Sequence, residues 1–82
     1  MTRPLKRSLT LRGHRTSVSL EAEFWQAFRM IAEARNMTLN ALAAEIDASR
    51  GMQTGLATAI RLYVLRNLQD RLSDKPAQNG LR

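Results

Sequence analysis

The sequence has no cysteine, which excludes disulfide bonds, thiolate metal sites and a cysteine nucleophile. Its single histidine, His14, has no second imidazole with which to share a metal ion. No apolar run approaches the ~20 residues of a membrane-spanning helix, and no apolar segment follows the first cations, as it would in a signal peptide. We therefore expect a cytoplasmic protein that holds no metal or cofactor and does not bind a membrane.

Groups for catalysis are also scarce. Serine and threonine are present, but only His14 could activate a hydroxyl, and it falls in a predicted turn. The carboxylates Glu45 and Asp47 point to different sides of one predicted helix, and there is no glycine-rich phosphate loop. We do not expect an enzyme.

Acidic residues are absent from the first sixteen positions, whereas the middle of the chain contains five of the seven acids. The net charge is +6 and the isoelectric point is about 11.4, so the excess of cations is concentrated at one end. A basic end suits a polyanion such as nucleic acid, although a solubilising tail has the same composition. The cations of this end are Arg3, Lys6, Arg7, Arg12 and Arg15.

Polar and apolar residues alternate from Arg15 to Leu20. A strand over this segment directs Val18 and Leu20 to one face and Arg15, Ser17 and Ser19 to the other. No second long strand follows, and the unpaired edge of a half-buried strand is costly. We expect this strand to pair with its counterpart in a second copy, which makes the protein a homodimer.

Residues 7–12 alternate as well, and Gly13-His14 after them suits a type II′ hairpin turn. In that hairpin Leu9 would lie opposite Val18, which favours it, but two arginines would also face each other, which opposes it. Both alternatives stay open. Residues 1–12 are a basic arm that could contain an extra strand.

The longer period of the remaining chain predicts three helices, over residues 21–35, 39–49 and 54–72. Asn36 suits the end of the first helix, and Thr38 suits the N-cap of the second. Residues 73–82 are predicted to be a flexible tail. The third helix should direct inward Leu56, Ile60, Tyr63, Val64, Leu68 and Leu72. The expected core of the dimer comprises Val18, Leu20, Phe24, Trp25, Phe28, Leu42 and Ile46.

A ribbon made of two such strands fits the major groove of B-DNA. Arg15 could donate two hydrogen bonds to a guanine, and the hydroxyls of Ser17 and Ser19 could meet several base edges. The same serines are also ordinary residues for the solvated face of a strand. The basic arm upstream favours base contacts by Arg15, Ser17 and Ser19.

Two features suit DNA phosphates. The start of the second helix presents free backbone N–H groups at the positive end of its dipole, although most helix starts bind nothing. The basic arm would hold neighbouring phosphates and make binding depend strongly on salt. The predicted phosphate contacts are Thr38, Leu39, Asn40, Arg3, Lys6, Arg7 and Arg12.

The segment from His14 to Glu21 with Phe24-Trp25, the turn Asn36-Met37-Thr38 and the helix from Leu39 to Asp47 resemble the ribbon-helix-helix (Arc/MetJ-like) fold. The sequence is similar to a family of short bacterial ribbon-helix-helix proteins. The resemblance covers about residues 6 to 68, most of a domain of ordinary size.

This resemblance implies a mainly α fold in which one short strand pairs across a homodimer. It also implies sequence-specific binding of double-stranded DNA by a transcriptional regulator of the repressor or antitoxin kind. The domain would span residues 13–72, and its helix over 54–72 is additional to the minimal fold. That helix could cap the dimer, join dimers into a higher-order assembly or dock a partner protein, so a protein-interaction or antitoxin-like module is the alternative function.

A strand over residues 7–12 would widen the paired ribbon to four strands. Such a sheet is too wide for a groove of about 12 Å. Either this segment leaves the sheet on DNA, or the ribbon serves another purpose.

Overall fold

The computed structural model describes residues 3–74. Its elements are β1 (Leu5–Leu11), β2 (His14–Leu20), α1 (Ala22–Ala34), α2 (Leu39–Ser49) and α3 (Leu56–Asp74). All three predicted helices are confirmed, with ends that differ from the prediction by at most two residues. Within the described part of the chain, no helix is long and apolar enough to cross a membrane. The predicted tail begins inside α3, and from residue 75 onward it lies outside the described residues.

The extra strand is present, and β1 pairs antiparallel with β2. Arg12 and Gly13 form the turn with φ angles of 53° and 83°, so both adopt the left-handed conformation of a type I′ turn. The predicted turn at Gly13-His14 is therefore wrong, and Leu9 lies opposite Thr16 rather than Val18. The observed register avoids two facing arginines, since Thr10 lies opposite Arg15. Strand twist does not decide between the two registers, because type I′ and type II′ turns both match it.

The two registers differ by an even number of residues, so each side chain keeps its face. One face of the hairpin is apolar and packs on the helices, with α2 beside β1 and with α1 and α3 against β2. Its four buried residues are Leu9, Leu11, Val18 and Leu20. The strand that was expected to need a second copy thus finds its partner within its own chain.

The core lies between this face and the three helices. Phe28, Leu20, Leu42 and Ile60 are among its fully buried side chains. Six of the seven residues predicted for the dimer core are buried within a single chain, and the seventh, Phe24, is partly buried. Their burial therefore requires no second copy, and any role in a dimer stays a prediction.

The connection between α1 and α2 follows the sequence closely. Asn36 adopts a φ of 56°, and the backbone N–H of Met37 donates to the Ala32 carbonyl at 2.8 Å, which closes α1. The Thr38 hydroxyl accepts from the N–H of Ala41 at 3.0 Å, as an N-cap does. Both predicted helix signals are confirmed.

The inward face of α3 is shorter than predicted. Ile60 and Val64 are buried, but Leu68 and Leu72 are 46% and 68% exposed, so their predicted burial is wrong. A step of four residues rotates a helix position by about 40°, and the series from Ile60 drifts away from the core. Leu56 and Tyr63 are partly buried, as half-inward positions should be.

Candidate nucleic-acid interface

The outward face of the hairpin is made entirely of polar side chains. Because opposite residues in an antiparallel pair share a face, β1 adds three side chains to the three of β2 that were predicted to contact bases. Lys6 pairs with Ser19, Ser8 with Ser17, and Thr10 with Arg15, and all six are exposed. We call this set the polar face: Lys6, Ser8, Thr10, Arg15, Ser17 and Ser19.

The surroundings of the polar face are electropositive. No residue from 3 to 20 is acidic, and the first carboxylate after β2, that of Glu21, pairs with Arg61 at 2.9 Å. This hydrogen bond lowers the pKa of Glu21 and holds it ionised. Arg61 also donates to the Ser19 carbonyl at 3.3 Å, which fastens α3 to the end of β2. The sheet itself therefore presents cations and hydroxyls to an incoming polyanion.

The first turn of α2 lies at the outer edge of β1. Asn40 Oδ1 accepts from the backbone N–H of Thr10 at 3.1 Å and so joins the helix to the sheet. The Thr38 hydroxyl accepts a hydrogen bond from the N–H of Ala41. The N–H groups of Leu39 and Asn40 can therefore donate to solvent or to a ligand. The three predicted phosphate contacts at the start of α2, Thr38, Leu39 and Asn40, thus lie beside the polar face.

A sequence model of the ribbon-helix-helix domain matches residues 4–68, which include both strands, the first two helices and α3 up to residue 68. The chain belongs to the ribbon-helix-helix domain family. Ribbon-helix-helix domains generally bind DNA, usually as dimers, or act in regulators and antitoxins, and they are typically not enzymes. Neither the comparison with curated proteins nor that with solved structures found a match.

The other cations of the basic end of this ribbon-helix-helix domain are spread along the hairpin. Arg12 lies in the turn and Arg3 precedes β1 at the opposite end, and both are exposed. Arg7 was also predicted to hold a phosphate, but it shares the face of Val18, and its guanidinium lies 5.6 Å from the centroid of the Trp25 ring. Arg7 is therefore not part of the polar face.

A second charged cluster of the ribbon-helix-helix domain joins its three helices. Arg35 pairs with Glu45 at 2.8 Å and donates to the Tyr63 hydroxyl at 2.9 Å. The contact with Arg35 lowers the pKa of Glu45, and both partners raise the pKa of Arg35. Because its carboxylate is already engaged, we assign this cluster to the packing of α1, α2 and α3. Over residues 3–74, no group of three or more His, Cys, Asp or Glu residues could hold a metal ion.

The sequence did not identify three residues of the polar face as candidate base contacts. Ser8 and Thr10 received no role, and Lys6 was assigned to phosphate. The signal was the alternation of residues 7–12 before Gly13, which places Ser8 and Thr10 on the same side as Ser17 once the hairpin forms.

Proposed function

We propose that this ribbon-helix-helix protein binds double-stranded DNA sequence-specifically as a homodimer and regulates transcription, in the manner of a repressor. The observation that supports this most is the acid-free, exposed polar face on an antiparallel ribbon. A ribbon of two strands fits the major groove, which is about 12 Å wide. Such a regulator works in the cytoplasm on the nucleoid and needs no catalytic residue or cofactor.

The β2 half of the polar face supplies the chemistry of base recognition. The Arg15 guanidinium can donate two parallel hydrogen bonds to the O6 and N7 atoms of a guanine. Ser17 and Ser19 carry hydroxyls that both donate and accept, and they follow Arg15 at steps of two along the strand. Each of the three can therefore meet a different base step.

Phosphate contacts orient the ribbon in the groove. The free N–H groups of Leu39 and Asn40 lie at the positive end of the α2 dipole, where an anion is favoured. Arg3 and Arg12 flank the hairpin at its two ends and can contact phosphates along the groove. These contacts carry no sequence information, but they make affinity fall as salt rises.

Two surfaces could carry the dimer contact. The outer edge of β2 has backbone groups that β1 does not use, since only one of its edges is paired. On the outer side of α3, a strip of leucines is exposed, and such a strip favours a second apolar surface. The strip consists of Leu62, Leu65, Leu68 and Leu72.

The decisive experiment is the selection of bound duplexes from a random DNA library, followed by titration of the selected site. We expect one recurring motif, and Arg15→Ala or Ser17→Ala should weaken its binding by about 1–3 kcal/mol, roughly 5- to 150-fold, and relax preference at one position. Thr16→Ser is the matched control, because Thr16 lies on the other face of the same strand. Unchanged affinity of Arg15→Ala for the selected site would refute base reading by this face.

A second candidate function is a protein-interaction or antitoxin-like module. The exposed leucines of α3 favour it, because they form an apolar strip that a partner protein could cover. Sedimentation equilibrium and gel shifts at two salt concentrations separate the two functions. A dimer that retains DNA supports the regulator, whereas a dimer that retains none supports the module.

A further inference from the structure

Three exposed leucines of α3 lie on one side of the helix together with Arg61. Residues 61, 65, 68 and 72 follow one another at steps of four, three and four, which is the spacing of a seam that packs against another helix. The three leucines are 47%, 46% and 68% exposed, so the described part of the chain leaves about half or more of each side chain uncovered. We call this set the α3 seam: Arg61, Leu65, Leu68 and Leu72.

The α3 seam begins at the outer edge of β2. Arg61 pairs with Glu21 at 2.9 Å and donates to the Ser19 carbonyl at 3.3 Å. By the alternation of the ladder, Ser19 directs its backbone groups away from β1, so this contact lies on the edge of β2 that β1 does not pair with. The Arg61 guanidinium also lies 5.8 Å from the centroid of the Phe24 ring of α1. The seam, the start of α1 and this edge of the strand therefore form one continuous surface.

The helix α1 adds apolar surface beside the α3 seam. Met30 is 58% exposed, and together with Leu68 it lines a cavity of about 80 Å³ between the two helices. Pockets for cofactors and other small molecules are larger, at about 300–1,000 Å³. This cavity instead suits a side chain inserted from a packing helix.

The occupant that these surroundings favour is a second copy of the chain. Ribbon-helix-helix domains usually bind DNA as dimers, and a copy that pairs with β2 at its outer edge also meets the seam, because Arg61 contacts both. The incoming strand would replace Arg61 at the Ser19 carbonyl, while the pair with Glu21 keeps α3 at this edge. Each copy has a net charge of +6, so two copies associate best through an uncharged surface, and the three leucines provide one.

We propose that the α3 seam is part of the dimer interface, in which Leu65, Leu68 and Leu72 pack on helices of the second copy. This inference rests on the homodimer of the proposed function. Two elements then hold the dimer together, β2 through backbone hydrogen bonds and α3 through burial of leucine side chains. Because the seam contains no residue of the polar face, it sets how tightly two copies associate and leaves the choice of DNA sequence unchanged.

The test measures the dimer dissociation constant by sedimentation equilibrium for Leu68→Gln, Leu72→Gln and a control, Leu62→Gln. Leu62 is an exposed leucine of the same helix, but it lies on the side of α2, where it lines a cleft with Ile46 and Ser49. Each seam variant should raise the dissociation constant by about 10- to 100-fold, because a dimer contains the substitution twice. The control should stay within about threefold of the wild-type value.

Two further measurements keep the test decisive. Leu72 is 68% exposed, so Leu72→Gln is expected to fold even if Leu68→Gln does not, and far-UV circular dichroism checks both. In selection from a random DNA library, the seam variants should return the wild-type motif but require a higher protein concentration.

The remaining outcomes contradict either the inference or the proposed function. If folded seam variants dimerise like the wild type, or if Leu62→Gln weakens the dimer equally, the seam is not in the interface and the inference is wrong. A changed DNA motif in the seam variants would also overturn it, because the seam would then contact DNA. If the wild-type protein is a monomer at every concentration, the homodimer of the proposed function fails, and no variant is needed to show it.

Discussion

Replacing Trp25 with phenylalanine should weaken the attachment of β1 to the rest of the protein. Trp25 is 2% exposed, its indole N–H donates to the Leu5 carbonyl at 2.8 Å, and the Arg7 guanidinium lies 5.6 Å from its ring centroid. Loss of the hydrogen bond costs about 0.5–1.5 kcal/mol, and weaker attraction to the cation costs up to about 0.5–1 kcal/mol. The smaller phenylalanine ring also leaves a cavity, which adds a further cost. Together these losses should lower the free energy of unfolding by about 2–3 kcal/mol.

For a domain of this size, 1 kcal/mol shifts the Tm by about 4–8 °C, so we expect a decrease of about 8–24 °C for Trp25→Phe. Unfolding should be followed by far-UV circular dichroism, because Trp25 is the only tryptophan and its fluorescence is lost with the substitution. Hydrogen exchange should show reduced protection first at the amides near Leu5 and Arg7.

A double-mutant cycle with Arg7→Met isolates the cation–π contact. The coupling between the two substitutions should be about 0.5–1 kcal/mol, because methionine keeps an apolar stem over the ring but removes the charge. A Tm within about 3 °C of the wild-type value for Trp25→Phe, converted with the same factor, would show that Trp25 does not hold β1, and the reasoning would be refuted.

Three further substitutions test local features. Gly13→Ala should destabilise the protein by about 1 kcal/mol in thermal melts, because Gly13 has a φ of 83°; Gly51→Ala is the control, and an equal loss there would contradict the turn assignment. Thr38→Ala should lower the free energy of unfolding by about 1 kcal/mol, because the N-cap hydrogen bond is lost. Thr38→Ser keeps a hydroxyl at this position and should retain the wild-type stability. The hydrogen bond with Arg61 lowers the pKa of Glu21 in the folded state. The ion pair therefore stabilises the folded state fully at pH values above the ordinary glutamate pKa of about 4.3. This stabilisation is lost as the pH falls through the lowered pKa of the folded state. Glu21→Gln should therefore lower the urea midpoint at pH 7 but not at about pH 2, and an equal effect at both would refute the ion-pair assignment.

The helices could be predicted because their signals are local. The sequence around Thr38 contains a cap, a helical period and no β-branched run, and α2 begins where the cap predicts. The exposure of Leu68 was not predictable in this way. It depends on how far the core extends along α3, which is a property of the tertiary packing rather than of the helix.

In the hairpin too, the local features could be predicted from the sequence and the tertiary ones could not. Alternation of polar and apolar residues is enough to place Arg15, Ser17 and Ser19 on one face, because the side-chain period of a strand is two. The register was missed because it depends on Arg12, a residue without the conformational freedom of glycine, which adopts a left-handed φ of 53° beside Gly13. The contact between Trp25 and Leu5 joins residues twenty positions apart, so no local sequence pattern predicts it.

β1 and α3 contact opposite edges of the same strand, β2. Leu11 and His14 close the turn as a hydrogen-bonded pair, so by alternation Arg15, Ser17 and Ser19 direct their backbone groups away from β1. A second β2 strand would need those groups, yet the Ser19 carbonyl already accepts from Arg61 of α3 at 3.3 Å. In a symmetric pairing centred on Ser17, this contact would interfere at both ends of the ribbon. A ribbon of two β2 strands from two copies would therefore have to displace Arg61 from the Ser19 carbonyl at each end.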